Sequence, residues 1–511
     1  MRNHRKNTLN RLTFDNSFSQ LGEHFFTRVQ ASGLTNPSLA SVNPEAAKLL
    51  GLEPLGLSQD WFLQWCSGNR RMPGSDPLAM VYSGHQFGGY SPQLGDGRGL
   101  LLGEVRGPQG KWDIHLKGAG KTPYSRFGDG RAVLRSTIRE YLCSEAMHGL
   151  GIASTRALSI VTSDEPVYRE TQETATMLIR LSHSHVRFGS FEYFHHHNEP
   201  EAVKQLADHV IEQHLPELIG HEDCYLHMFR HTVHSTARLI AQWQSVGFAH
   251  GVMNTDNMSI IGETMDYGPF GFLDAYNPGY ICNHSDTCGR YAFNRQPIIG
   301  LWNCNALANA LTSLLSVEQL TEVLTEYEPL LFSTLLELQR CKLGLEQALP
   351  EDETLTEDLL DSLAKNQVDY TLFFRNLCYF DESDPDKDVL DKSVLDKSAG
   401  DETSAHTALR DLFLDRSACD DWIKRYRQRL ALEQRDPVDR REAMRQTNPK
   451  YVLRNYMGEI AIRKAEDEQD YGEIDRILAL LQSPFDEHPD CEEYAKHPPD
   501  WSQQLSVSCS S

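Results

Sequence analysis

The sequence predicts an α+β protein in which a strand-rich lobe is followed by a helical lobe. Three observations predict it. Glycine-rich, strand-like segments concentrate between residues 81 and 130. Apolar residues then recur at helical spacing from about residue 131, and beyond about residue 300 the chain reads as mostly helical. Strands followed by a run of helices, rather than alternating with them, favour segregated layers over a parallel doubly wound sheet.

Each element follows from a local pattern. Asn43 to Leu50 reads as an early helix. Leu100 to Val105 reads as a strand, Gly107-Pro108-Gln109-Gly110 as a turn, and Lys111 to Lys117 as the returning strand. In that second strand Trp112, Ile114 and Leu116 alternate with polar residues, the period of a pleated strand. From Arg131 to Gly149, Leu134, Ile138, Leu142 and Ala146 recur every four residues, and Gly149-Leu150-Gly151 ends the run. A short strand is expected at Ala175 to Leu181. Residues 201–219 form an amphipathic helix with Val203, Leu206, Val210 and Leu215 on its apolar side. A long helix covers Asp223 to Val246 and stops before His250. The expected division is an N-terminal extension and strand-rich nucleotide-binding lobe over 1–180, with a helical lobe over 181–511.

Bulk properties exclude several classes. The chain has 511 residues, 40% hydrophobic and 24% charged, ordinary for a globular protein. No stretch reaches the ~18 uninterrupted apolar residues that a membrane span needs. The net charge of −23 repels a phosphate backbone, and no compensating Lys/Arg run is present, so nucleic acid is a poor partner. The basic start, MRNHRKNTLNRLTF, has no apolar core and does not read as a secretory signal. Mitochondrial transit segments share its acid-poor character, but this one is short and runs straight into folded-looking sequence. The 11 cysteines are scattered without a CxxC pair, which argues against a zinc ribbon or a disulfide framework and for a reducing compartment. Cys509 stands apart, near the terminus in Ser508-Cys509-Ser510-Ser511, where a core thiol is not expected. The acidic stretch 351–400 contains a tandem repeat, Val389 to Ser393 followed by Val394 to Ser398. It reads as a solvated insertion near 381–402.

Four groups of residues carry candidate chemistry. Gly95-Asp96-Gly97-Arg98-Gly99 lies between strand-like segments, where alternating glycines let backbone N–H groups approach phosphate oxygens; hairpin turns are glycine-rich too. Lys117 ends the second strand, and Glu140 follows 23 residues later on a helix. A kinase holds such a strand lysine on the phosphates with a helix glutamate. Taken singly, Lys117 reads better as a strand-end surface charge and Glu140 as an exposed helical acid. His250 to Asn257 supplies Asp256 and Asn257, and Asp266-Tyr267-Gly268 follows. Oxygen ligands from Asn257 and Asp266 suit a magnesium ion bridging phosphates. Arg180 and Arg187 flank Leu181 to Val186, and guanidinium groups grip phosphates in bidentate fashion. Together these point to a protein-kinase-like two-lobe fold.

One position departs from a kinase. Where a catalytic loop opens His-Gly-Asp, the third residue is the base; here it is Val252, which neither accepts a proton nor binds a metal. Asp256 is the nearest acid, so ordinary γ-phosphoryl transfer is in doubt. A competing zinc reading rests on His227, His231 and His234 at i, i+4 and i+7, with His195 to His197 upstream. It lacks an HExxH pattern, and chance runs are expected among 21 histidines.

Read in order, these segments resemble the selenoprotein O family of pseudokinase-type protein adenylyltransferases. The resemblance rests on Ser83 to Gly88, Gln93 to Arg98, His115 to Gly120, His250 to Asn257, Asp266 to Asp274 and Asn448-Pro449, and it spans nearly the whole chain. It implies ATP bound in a flipped orientation and AMP transferred to hydroxyl side chains of protein substrates, with release of pyrophosphate. Gly95, Gly97, Arg98, Lys117, Asp129, Gly130, Arg180 and Arg187 would contact the nucleotide. Asn257 and Asp266 would hold Mg²⁺ (or Mn²⁺), Asp256 would accept the proton, and Glu140 would pair with Lys117. The family also implies a reactive C-terminal thiol, here Cys509. In some bacterial members it pairs with a cysteine after the metal aspartate, here Cys282, with Cys288 as a competitor. An ordinary cysteine ending resembles bacterial members, which implies a cytoplasmic location. The implied partners are ATP and protein substrates, with neither nucleic acid nor membrane. Alternatives are a kinase with Asp256 as base, UMP transfer with Mn²⁺, and a nucleotide-binding scaffold without activity.

Overall fold

The structure, a computed structural model, describes residues 12–380, 405–505 and 507. Its N-terminal half is built on an antiparallel sheet of eight strands. In chain order these are β1 (Phe26–Arg28), β2 (Ser38–Val42), β3 (Leu78–Met80), β6 (Gly99–Gly107), β7 (Gly110–Lys117), β8 (Ala132–Val133), β9 (Arg156–Tyr168) and β10 (Gln172–Ser182). A separate small hairpin, β4 (Gly84–Gln86) and β5 (Gly89–Ser91), intervenes between β3 and β6. The sheet order is β1-β3-β6-β7-β10-β9-β2, with β8 added on β10. The 107–110 turn closes the expected hairpin, pairing Gly107 with Gly110 and Gly99 with Lys117.

Strand alternation sorts the sheet into two faces. Trp112, Ile114 and Leu116 of β7 join Ile179 and Leu181 of β10 in one apolar core. That core is closed by α1 (Pro44–Leu49) and α3 (Asp60–Cys66), with the short α2 (Pro54–Leu57) between them. The opposite face carries Asp113, His115 and Lys117, and in register across from His115 it carries Arg180. Helix α4 (Leu134–Gly149) packs behind that polar face through Leu134, Ile138 and Leu142, which share a core with Leu178. The polar row is therefore trapped between sheet and helix.

The C-terminal half is helical. It opens with α5 (Phe188–His196), α6 (Pro200–His214), α7 (Cys224–Val246) and, after a loop-rich stretch, α8 (Gln296–Ala310). A two-stranded ladder of β11 (Phe248–Ala249) and β12 (Gly271–Phe272) frames that stretch. Helices Asn455–Asp467 and Gly472–Gln482 return to pack on α4. Among the described residues, no helix is long and apolar enough to cross a membrane.

Several boundaries shift from the sequence reading for physical reasons. The helix expected from Arg131 starts at Leu134, because Ala132 and Val133 pair with β10. The helix expected to reach residue 219 ends at His214. Pro216 has no N–H to continue it, so the chain tightens into a short 3₁₀ turn, Pro216–Leu218. The strand expected at 175–181 runs from Gln172 to Ser182. The acidic insertion near 381–402, with its tandem repeat, lies outside the described residues, as does Cys509.

Candidate active site

A cleft of about 610 Å³ opens between the polar face of the sheet and the 250–269 loops. Gly95, Gly97, Arg98, Lys117, Asp129, Gly130, Arg180, Arg187, Asp256, Asn257 and Asp266 all line it, and Glu140 supports it from behind. Seven cationic side chains line the cleft against four carboxylates (Asp96, Asp129, Asp256 and Asp266). An anion is thus favoured locally on a chain whose net charge is −23.

One chain of ion pairs runs through the interior. Lys117 Nζ donates to Glu140 Oε2, and Arg180 Nη1 donates to the other oxygen of Glu140 at 3.1 Å. Arg180 also donates to Asp266 Oδ1, and Arg187 donates to Asp266 Oδ2. Arg187 reaches on to the backbone carbonyl of Asp256 at 2.6 Å and lies over the ring of Tyr82, 4.8 Å from its centroid. Burial pushes the Asp266 pKa up, but Arg187, Arg180 and Lys117 outweigh it and hold this carboxyl well below the usual range. The same opposition, with Lys117 and Arg180 as the cations, keeps Glu140 ionised. Both carboxylates are therefore charged at neutral pH. Removing either would strand buried cations, which costs several kcal/mol in comparable pairs.

Asp256 is the opposite case. It sits in a 3₁₀ turn, Thr255–Asn257, almost fully buried. Its Oδ2 accepts one bond, from Gln86 Nε2 at 3.2 Å, while Oδ1 is buried without a hydrogen-bond partner. Burial raises its pKa to about 7, with Arg187 and Gln86 opposing. A carboxylate poised near neutrality on the wall of a cleft, with one oxygen uncommitted, is suited to take a proton.

Asn257 donates its side-chain N–H to the Val252 carbonyl at 3.0 Å. That bond turns its carbonyl oxygen into the remaining acceptor. Asp266 holds a left-handed backbone, φ 57°, uncommon for a residue with a Cβ. His250 ties the two segments together, because its Nε2 pairs with the Met265 carbonyl at 3.0 Å. Val252 presents only apolar surface to the cleft, so the position where a kinase keeps its base is a wall here.

The glycine loop is built to let backbone approach. Gly95 has φ +73°, and a Cβ on it would lie 2.5 Å from the Tyr124 ring; one on Gly97 would lie 2.9 Å from the Tyr124 carbonyl. The loop is pinned by Thr122 Oγ1 donating to the Asp96 carbonyl at 2.7 Å. Asp129 is clamped by Arg169 Nη1 and Nη2 at 2.7 and 3.0 Å.

Sequence reasoning missed some residues of this cleft. Arg169 is one, with no pattern in the sequence to signal it. His115 enters the sequence reading only as the start of a longer motif, with no role assigned: its Nδ1 pairs with Arg180 Nη2 at 2.9 Å and its Nε2 faces Asp96 at 3.5 Å. Burial and the neighbouring Arg180 lower its pKa to about 3, so it is neutral and can accept from the guanidinium. Gln86 was read only inside a longer motif.

Cys282 is buried, its thiol 3.5 Å from the Ala249 carbonyl, and Cys288 is exposed. Cys509 lies outside the described residues, but Val507 accepts a backbone hydrogen bond from His284 at 3.1 Å. The histidines of the zinc reading are otherwise engaged: His234 pairs with Glu326 at 2.6 Å, and His227 packs edge-on against His221. Among the described residues, no three His, Cys, Asp or Glu side chains are grouped so as to hold a metal.

Comparison with known proteins gives a consistent picture. The sequence matches the family described as "Protein adenylyltransferase SelO" over residues 8–482. It is 52% identical over 505 residues to the protein nucleotidyltransferase YdiU of Myxococcus xanthus, covering 99% of this chain and 100% of that protein. The YdiU proteins of Thiobacillus denitrificans and of a Pseudomonas fluorescens strain are 52% identical over 507 residues and 50% over 508. They cover 99% and 98% of this chain, and 100% and 99% of their own.

Proposed function

The chain belongs to the protein adenylyltransferase SelO family and is a protein nucleotidyltransferase, and on that premise we propose that the cleft binds ATP and transfers its AMP moiety to a hydroxyl side chain of a protein. The observation that carries this reading is the buried run Lys117–Glu140–Arg180–Asp266–Arg187, which ends at the carbonyl of Asp256. Phosphate-binding cations, a charged carboxylate and a titratable carboxylate converge in one cleft. The arrangement fits a protein-kinase-like two-lobe scaffold, with a strand-rich lobe to about residue 180 and a helical lobe beyond.

In this reading Lys117, Arg180 and Arg187 take the β- and γ-phosphates deep in the cleft. Arg98 and the glycine loop at Gly95 and Gly97 add further contacts, with Asp129 and Gly130 on the facing loop. Flipping the nucleotide puts the α-phosphorus toward Asp256. The acceptor oxygen attacks that phosphorus, the bond to the bridging oxygen of the β-phosphate breaks, and pyrophosphate leaves. Asp256 takes the hydroxyl proton. Asn257 and Asp266 offer the hard oxygen donors that a magnesium or manganese ion prefers, and their chemistry fits such an ion. Bound there, the ion would neutralise charge on the phosphates. An ordinary kinase is disfavoured by Val252, and a scaffold without activity by the intact Lys117, Asn257 and Asp266. UTP with Mn²⁺ is a related donor to be tried.

The tail adds a regulatory element to the proposal. The hydrogen bond between His284 and Val507 holds the chain two residues before Cys509 beside the loop bearing Cys282 and Cys288. Oxidation would join Cys509 to Cys282, with Cys288 the alternative. The relatives are bacterial, and a cytoplasmic setting would keep the thiols reduced by default.

Product analysis tests the reaction. With ATP, Mg²⁺ and a protein acceptor, AMP transfer releases pyrophosphate, whereas a kinase releases ADP. Asp266→Ala should abolish pyrophosphate release; full activity in that variant would refute the assigned phosphate and metal end of the cleft.

A further inference from the structure

A second cavity, about 350 Å³, lies on the other side of the β4–β5 hairpin from the catalytic cleft. It is lined by His85 of the hairpin, His195 and His196 at the end of α5, and Trp302, Asn305 and Asn309 of α8. Successive side chains of a strand point to opposite faces. In β4 this puts His85 into the second cavity and Gln86 into the cleft, on Asp256. The hairpin is a wall one strand thick between the two.

That wall is rigid. His85 Nδ1 pairs with Glu192 Oε1 at 2.7 Å, and its backbone N–H donates to Thr255 Oγ1 at 2.7 Å. Thr255 Oγ1 donates in turn to Glu192 Oε2 at 2.6 Å. Thr255 immediately precedes Asp256, so the cavity and the proton acceptor share one buried hydrogen-bond triad. On the cavity side, the His85 ring meets Trp302 edge-on, 5.2 Å between centroids, and the Arg290 guanidinium lies 4.7 Å over the indole.

Phe87, the next residue of the hairpin after Gln86, lines the cleft, is 42% exposed and has φ 50°. A bulky side chain in that conformation is strained and persists only where its surroundings enforce it. Here they do, because its N–H donates to Tyr291 Oη at 2.9 Å. The second cavity follows one face of α8, since residues 302, 305 and 309 are spaced one and two turns apart. Ile298, one turn before Trp302, is exposed and extends the same face.

A protein nucleotidyltransferase must hold a polypeptide with one hydroxyl at the phosphate and its neighbours elsewhere. We propose that this groove is the acceptor-docking site, taking an extended segment of the protein substrate next to the modified residue. The proposal rests on the AMP-transfer reading of the cleft. An extended chain advances about 3.3 Å per residue, so a segment crossing Phe87 reaches from one side of the hairpin to the other within a few residues. Asn305 and Asn309 are exposed amides able to pair with its backbone N–H and C=O groups. Trp302 offers the large, stiff platform that dominates peptide-docking energetics.

The test uses partly unfolded casein as acceptor and ATP labelled at the α-phosphate. Asn305 and Asn309 are exposed, so the double variant Asn305→Lys, Asn309→Lys fills the groove without disturbing the core. We expect its kcat/KM for casein to fall about tenfold or more, with the KM for ATP unchanged. Trp302→Ala should behave likewise and Trp302→Phe should recover most of the loss. Equal kcat/KM for casein in the wild-type protein and the double variant would overturn the proposal. A second measurement is independent of chemistry: p-benzoylphenylalanine in place of Asn309 should cross-link casein, and failure to do so also overturns the docking site. A wild-type protein that transfers no α-label, while the cross-link forms, counts against the AMP-transfer reading and leaves the groove standing.

Discussion

Replacing Asp256 by Asn should remove transfer and stabilise the fold in the same step. The buried carboxyl has its pKa raised from 3.8 to about 7, with burial as the main cause. At about 1.4 kcal/mol per pH unit, holding it ionised above pH 7 costs the native state about 4 kcal/mol. The sign follows from proton counts. Between about pH 4 and 7 the native protein binds more protons here than the unfolded chain does, so this group lowers stability as pH rises through that window. Below pH 4 both states are neutral and the cost vanishes. Asn carries no charge at any pH, but its N–H group meets a site where Oδ1 already lacks a partner. An unpaired buried amide costs roughly 1–3 kcal/mol, which leaves a net gain of roughly 1–3 kcal/mol above pH 7. Urea unfolding of both proteins at pH 5, 6, 7 and 8 measures this, alongside incorporation of α-label. The gap in stability should widen with pH and level off above about 7, and wild-type kcat should rise through the same range. A variant less stable than wild type at pH 8, or one that keeps substantial transfer, would refute the assignment of Asp256 as a buried, high-pKa base.

Two further outcomes follow from the contacts around the cleft. Both oxygens of Asp266 are engaged by Arg180 and Arg187, so Arg187→Ala should tighten Mn²⁺ binding to the nucleotide-free protein, read by electron paramagnetic resonance, while raising the KM for ATP. Equal Mn²⁺ affinity in the two proteins would show that the arginine does not compete for the carboxylate. Cys509→Ser should abolish any difference in transfer rate between oxidising and reducing buffers, and a variant that keeps the full redox response would sink the tail-tethering proposal.

How much of this was legible in the sequence depended on the kind of contact. The β6–β7 hairpin was readable because Trp112, Ile114 and Leu116 alternate and the 107–110 turn is tight. The same alternation put Lys117 on the polar face, where it meets Glu140 of α4, a helix buried nearly all round. Strand β9 was not read. From Arg156 to Ser163 it is buried on both sides, so its sequence shows no period. The link from Arg180 to Asp266 spans 86 residues and exists only through the register that sets Arg180 opposite His115. No local spacing announces such a contact. His115 looked like one more polar residue of an alternating strand, and only its burial between Arg180 and Asp96 reveals it as part of the site. Asp256 was named from its place beside Asn257. Its raised pKa comes from burial by residues remote in the chain, such as Gly84 of the β4–β5 hairpin, while Gln86 of the same hairpin opposes the rise.

The most direct test is the fate of label from ATP carrying ³²P at the α- or the γ-phosphate. With Mg²⁺ and a protein acceptor, the wild-type chain should place α-label on protein and leave γ-label in free pyrophosphate, and Asp256→Asn should place neither. Transfer of γ-label to protein would contradict the account. It would mean that the cleft works as a kinase, with the nucleotide in the ordinary orientation.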